Sequence, residues 1–209
     1  LPDVVTFQRL QAANHVNDFT LSAHQIQQVR DIYLDTEERL ILAGGYSCRC
    51  RETESEVLIT IKGLGKAKGA IHRRKELEIS LPAYKPPHEW PKCPARNLVL
   101  QLTAEAPLSP LFDLQQTRVY RRMSQGELLV AQLSLDNVHT VSGNRKQRYF
   151  ELEVELAPQG TQDNLTEIVS YLQDECGLTP EPKSKFERAL AFINEDAPEG
   201  NLLTPQERA

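Results

Sequence analysis

Phe150-Glu151-Leu152-Glu153-Val154-Glu155-Leu156 alternates apolar and acidic residues along its whole length. Successive side chains of a strand point to opposite faces, so this stretch reads as a strand with one apolar face and one face carrying glutamates. The same sorting recurs upstream. In Cys48-Arg49-Cys50-Arg51 the arginines share one face and the cysteines the other. Thr60 and Lys62 oppose Ile59 and Ile61; Arg74, Glu76 and Glu78 oppose Leu77 and Ile79. In Leu133-Ser134-Leu135-Asp136, Asp136 shares the face of Ser134. Around Arg118, parity groups Arg118, Tyr120 and Arg122 and turns Arg121 the other way, unless a bulge intervenes.

Outward from these stretches, strands are predicted over Val29 to Asp35, Tyr46 to Glu52, Val57 to Lys62, Arg73 to Leu81, Thr117 to Met123, Leu128 to Val138 and Arg148 to Leu156. Turns are expected at Ser124-Gln125-Gly126 and Ser142-Gly143-Asn144, and a Gly/Lys loop over Gly63 to Gly69. Helices are predicted over Pro2 to Ala13, with Val5, Leu10 and Ala13 on one face, and over Arg96 to Thr103. Asp163 to Cys176 carries the stripe Leu165, Ile168, Val169, Leu172 and Cys176, with Gly177 placed to end it. A last helix runs from Lys185 to Ile193, and Glu37 to Leu42 reads as a short helical turn. Pro82 to Pro94 holds five prolines and reads as irregular.

A chain of 209 residues is long enough for a real core without staples. Its net charge of −5 argues against nucleic acid as a partner, although it says nothing about a local basic cavity. The four cysteines make no Cys-x-x-Cys pair and have no histidine cluster beside them, which argues against a zinc site or a disulfide framework. No apolar run is long enough to span a bilayer and no signal peptide opens the chain, so a cytoplasmic protein without a membrane partner is expected. The polar segment 195–209, punctuated by Pro198, Gly200 and Pro205, reads as a linker or tail.

Many short strands with helices outside them indicate an α+β domain on one antiparallel sheet. Alternation alone fits an open sheet with one solvated face. The sorting of charge favours a closed antiparallel β-barrel with a charged lumen and surrounding helices. Like charges two residues apart repel unless a ligand neutralises them. A polyanion satisfies the cations and a divalent cation satisfies the carboxylates, and metal-bound triphosphate does both.

In order, Tyr33-Leu34-Asp35-Thr36, Cys48-Arg49-Cys50-Arg51, Thr60-Ile61-Lys62, Arg74-Lys75-Glu76-Leu77-Glu78, Thr117-Arg118, Leu135-Asp136, Phe150-Glu151-Leu152-Glu153 and Ser184-Lys185 resemble the motifs of the CYTH family, the triphosphate tunnel metalloenzymes. Cys48 stands where that family has leucine. The resemblance implies a tunnel domain over residues 1–194 that lacks the family's opening Glu-x-Glu-x-Lys strand. It implies phosphate ligands at Arg49, Arg51, Lys62, Arg74, Arg118, Arg122 and Lys185, with Lys183 as a substitute for Lys185. It implies Mg²⁺ or Mn²⁺ held among Glu76, Glu78, Asp136, Glu151 and Glu153, with Glu155 a weaker candidate, and catalytic roles for Lys62, Glu151 and Glu153. The activity so implied is metal-dependent hydrolysis of inorganic triphosphate or short polyphosphate. The alternatives are a non-catalytic polyphosphate-binding module, and a nucleotide or thiamine triphosphate enzyme of the same family. A helical phosphate-binding domain beyond the tail is an expected partner. Lys66, Lys68, His72 and Arg73 form a basic loop suited to guiding an anion.

Overall fold

The computed structural model describes residues 1–53, 56–65, 70, 75–142 and 144–195. In chain order its elements are α1 (Val4–Ala12), β1 (His15–Val16), β2 (Phe19–Leu21), β3 (Gln25–Asp35), α2 (Leu40–Ala43), β4 (Tyr46–Glu52), β5 (Val57–Gly63) and β6 (Glu76–Leu81). A 3-10 turn (Pro87–Glu89) precedes α3 (Pro94–Thr103), β7 (Ser109–Gln125), β8 (Leu128–Ser142), β9 (Arg145–Leu156), α4 (Gln162–Asp174) and α5 (Lys185–Asn194). The fold is therefore α+β, with a large sheet of nine strands that is antiparallel in every pair of described register. The hydrogen-bonded order includes no closing pair among the described residues, so what the structure bears out of the expected barrel is its large antiparallel sheet.

Two compact units divide the chain. The first comprises Leu1–Gln28, Gln115–His139 and Lys146–Glu181. Here β2 pairs with β1 and β7, and β8 lies between β7 and β9. The core holds Phe19 and Leu21 of β2, Val119 and Met123 of β7, Leu133 and Leu135 of β8, and Ile168 and Leu172 of α4. Helix α1 adds Phe7 and Leu10, whereas Val5, expected inside, is exposed. Asp3 caps this helix by accepting from the Thr6 amide at 2.7 Å, and that start sets which face turns inward. Thr161 and Asn164 form a reciprocal capping box at the start of α4. Beyond its end Gly177 takes the left-handed conformation (φ 65°) that a side chain resists, and its amide reaches the Gln173 carbonyl.

Arg121 sits on the core-facing parity of β7, as the alternation requires; the β7–β8 register shift falls between Met123 and Ser124, beyond it. Its guanidinium is buried and donates to the carbonyls of Ser22 (2.7 Å), Gln11 (3.0 Å) and Leu21 (3.4 Å), and to that of Ala13. It thus pins the segment from α1 to β2 onto β7. Arg121→Ala strands several carbonyls, and each buried unsatisfied group costs about 1–3 kcal/mol. We expect a loss of about 3 kcal/mol or more in urea unfolding.

The second unit comprises Val29–Leu114, Thr140–Arg145 and Pro182–Ala209, described as far as Glu195. Its strands follow the order β3-β4-β5-β6. Their apolar face, with Leu34, Cys48, Cys50, Ile59, Ile61 and Ile79, packs with Ala95 and Val99 of α3. Helix α3 begins at Pro94, two residues before the sequence reading, because proline suits a first turn that has no need of its amide. A separate cluster joins Tyr33, Phe112 and Phe186, with ring centroids 5.1–5.6 Å apart, to Leu42, Ala189 and Leu190.

The Tyr33-Leu34-Asp35-Thr36 motif has a structural use. Asp35 is buried and accepts from the amides of Thr36 (2.8 Å), Ile41 (2.9 Å) and Leu42 (3.0 Å), so it closes the α2 turn. Burial pushes its carboxyl above the usual aspartate range, against the pull of those amides.

Candidate functional site

In the second unit, register alone assembles a polar face. Tyr33 lies opposite Arg49, Arg49 opposite Thr60, and Thr60 opposite Glu78. Asp31 lies opposite Arg51; Ser47, Lys62 and Glu76 make another row. Arg51 donates Nε and Nη2 to the two oxygens of Asp31 at 2.6 and 2.8 Å, a bidentate fork. Arg49 donates Nη2 to Thr60 Oγ1 at 3.0 Å, and its Nη1 stands 3.9 Å from Asp31. Its Nε is buried and has no hydrogen-bond partner among the described residues. Thr60 in turn donates to Glu78 Oε2 at 3.3 Å, and Lys62 pairs with Glu76 at 2.9 Å in a half-exposed ion pair.

Lys185 opens α5, where Ser184 and Glu187 cap each other's amides at 3.3 and 2.7 Å. The side chain of this lysine is buried, not displayed on the surface as first-turn lysines usually are. Burial, then the charge of Asp31, pushes the Tyr33 hydroxyl far above its usual range, while Arg49, Lys185 and Arg51 pull the other way. Arg74 lies outside the described residues, as do Lys66, Lys68, His72 and Arg73.

The first unit carries a matching arrangement. Arg118 and Asp136 are directly opposite on β7 and β8. Arg118 donates Nε and Nη2 to the two Asp136 oxygens at 2.8 and 2.7 Å, and Nη2 also reaches Glu153 Oε2 at 2.8 Å. Burial disfavours the guanidinium charge, but Asp136, Glu153 and Glu155 outweigh it and hold Arg118 firmly protonated. Glu151, Glu153 and Glu155 share one parity of β9. Further along β7, Tyr120 faces Ser134 and Arg122 faces Gln132. Arg122 is exposed and borders two open clefts of about 240 and 170 Å³, the larger with Glu155 and the smaller with Tyr120.

Asp136, expected as a metal ligand, is fully buried with both oxygens on Arg118, because it is the cross-strand partner of that arginine. No group of three metal-binding side chains gathers among the described residues. Mg²⁺ does not need one. It commonly takes one or two protein carboxylates and completes its shell with substrate phosphates and water. Glu151 and Glu153 offer hard oxygen donors of that kind on one strand face, so the donor set fits such an ion.

Sequence reading missed Asp31, the residue that grips Arg51. The signal was present: Asp31 is two residues before Tyr33 in an alternating strand, and so on the face of Arg49 and Arg51.

The antiparallel sheet, its arginine–carboxylate face and the ordered motifs define one class. The chain belongs to the CYTH domain family, which it matches over residues 2–190. Among curated proteins no relative matches. Solved structures do. A candidate adenylate cyclase from Bacillus halodurans is 18% identical, with 90% of this chain and 92% of that one covered and a TM-score of 0.59. A candidate adenylyl cyclase from Hippeastrum, described as having a dominant triphosphatase activity, is 16% identical, with 92% of each chain covered and a TM-score of 0.63. A protein from Pyrococcus horikoshii is 18% identical over 91% of this chain and 94% of that one, with a TM-score of 0.52. At these identities the likeness is one of fold.

Proposed function

We propose that this protein hydrolyses inorganic triphosphate or short polyphosphate with the help of Mg²⁺ or Mn²⁺. The observation that carries the reading is the arginine face of the second unit, where Arg49 keeps a buried Nε without a partner among the described residues, beside the Arg51 fork. A buried donor of this kind suits an anionic oxygen. In this reading the sheet closes into a barrel over residues 1–194, 195–209 is a tail, and the protein is cytoplasmic. A helical phosphate-binding domain beyond that tail would be its partner in a longer chain.

Arg49, Arg51, Lys62, Arg118 and Lys185 hold the phosphate chain, with Arg74 and Arg122 as further contacts. Each charge-assisted hydrogen bond contributes about 1.5–3 kcal/mol. Glu151 and Glu153 accept hydrogen bonds from the attacking water and orient it in line with the terminal phosphorus; Glu76 and Glu78 hold Lys62 and Thr60 in place. A divalent ion on these carboxylates, when bound, supplies Lewis acidity at the terminal phosphoryl group. The water oxygen bonds to phosphorus as the bridging P–O bond breaks, Lys62 offsets charge on the departing pyrophosphate, and the water proton passes to a carboxylate or solvent. No serine or cysteine nucleophile is needed; Cys48 and Cys50 lie on the apolar face, and burial raises the Cys50 thiol to about 11.

A nucleotide enzyme is the second reading, favoured by the adenylate cyclase descriptions of the similar folds. A phosphate-release assay with triphosphate, ATP, thiamine triphosphate and long polyphosphate, each with Mg²⁺ and Mn²⁺, separates the two. Fastest release from triphosphate is expected. Preference for ATP or thiamine triphosphate favours the second reading, and binding without release on any substrate leaves a non-catalytic polyphosphate-binding module.

A further inference from the structure

Asp31 is only 1% exposed and stands against two guanidinium groups at once, as a bidentate partner of Arg51 and 3.9 Å from Arg49. Its charge cancels half of theirs. The first unit repeats the device, with Asp136 buried opposite Arg118, but there a single arginine takes both oxygens. Among the described residues, Asp31 thus sets one carboxylate charge against a pair of arginines on the candidate anion face.

We propose that Asp31 is a positioning residue that fixes the Arg49–Arg51 pair in a reactive arrangement and weakens its hold on the anion in doing so. The inference rests on the oligophosphate reading of this face. Held by Asp31, Arg51 presents one orientation of its planar fork, and Arg49 lies beside it with a buried Nε that has no hydrogen-bond partner among the described residues. Without the carboxylate, the two arginines would attract an oligophosphate more strongly and place it less well. Tight binding of a misplaced substrate slows turnover, since only interactions gained in the transition state accelerate the reaction.

A carboxylate that merely held the fold together would behave differently: its loss would weaken anion binding or leave it unchanged. The test uses the full chain and inorganic triphosphate. Affinity is measured by calorimetry in EDTA, kcat with Mg²⁺ present, and folding by thermal melting. Asp31→Asn preserves shape and removes one negative charge; triphosphate is expected to bind about tenfold tighter or more. kcat is expected to fall about tenfold or more, as misplacement on the ångström scale allows. Equal or weaker binding by a folded Asp31→Asn protein overturns the inference. Asp31→Glu keeps the charge and moves it by one methylene, so it decides the matter if the asparagine variant does not fold. Its affinity should stay within about twofold of wild type while kcat falls; an undiminished kcat overturns the positioning role. Failure of the wild-type protein to bind triphosphate overturns the oligophosphate reading with it. Wild-type binding that the asparagine substitution leaves unchanged overturns only the role of Asp31.

Discussion

Arg118→Ala is expected to remove most triphosphate turnover and to cost about 3–5 kcal/mol of stability in the same protein. The two losses have separate causes. The first follows if Arg118 contacts phosphate. The second follows from Asp136, which is fully buried and gives both oxygens to Arg118. Removing the cation leaves a buried carboxylate without its bidentate partner and also strips Glu153 of a contact at 2.8 Å. A buried ion pair need not be worth much against a well-packed apolar pair, yet breaking it from one side is expensive. The double variant Arg118→Met/Asp136→Leu separates the effects. Urea unfolding should return toward the wild-type midpoint, while triphosphate affinity stays at the level of the single variant. A double variant as unstable as Arg118→Ala would mean that the buried charge is not the source of the loss. Wild-type affinity in either variant would remove Arg118 from the set of phosphate ligands.

Much of this arrangement was legible in the alternation of the strands, because period-two sorting survives any uncertainty about where a strand begins. Arg49, Arg51, Thr60 and Lys62 fall on one face of the second unit, and Ile59, Ile61 and Cys48 on the other, as parity required. Element boundaries were less legible. Strand β3 begins at Gln25, and β7 begins at Ser109 despite Pro110. Proline counts against a strand in sequence, although the first residues of a strand tolerate it. The two-residue strand β1 and three-residue strand β2 are too short to show a period at all. Pairing was the least legible feature. Nothing in the sequence says that Asp136 lies opposite Arg118 and not beside Glu151. A carboxylate's choice between a metal and an arginine depends on cross-strand register, which links residues 18 positions apart for Arg118 and 20 for Arg51. For the same reason Asp31 went unread while its neighbours in the motif were noticed.

Glu153→Gln is expected to raise the Mg²⁺ requirement for triphosphate hydrolysis about tenfold or more, with partial recovery at high Mn²⁺, because affinity at an oxygen site depends on ligand charge. The substitution is nearly isosteric, and glutamine can still accept from Arg118, whose Nη2 lies 2.8 Å from Oε2. The Glu153 side chain is 36% exposed, so losing its charge should disturb stability far less than losing Asp136. What changes is the supply of a negatively charged oxygen to a cation. Arg51→Ala should fail differently. It removes a fixed positive charge, so triphosphate binding weakens whether or not metal is present, and added Mn²⁺ does not restore it. The two losses should be non-additive if both residues act on one metal–phosphate assembly. The measurement is hydrolysis rate against metal concentration at several triphosphate concentrations for each single variant and the double. If Glu153→Gln leaves the metal dependence untouched while Arg51→Ala shifts it strongly, the division of labour between the arginine and glutamate strands is wrong. Strictly additive losses would mean that Arg51 and Glu153 act independently of one another.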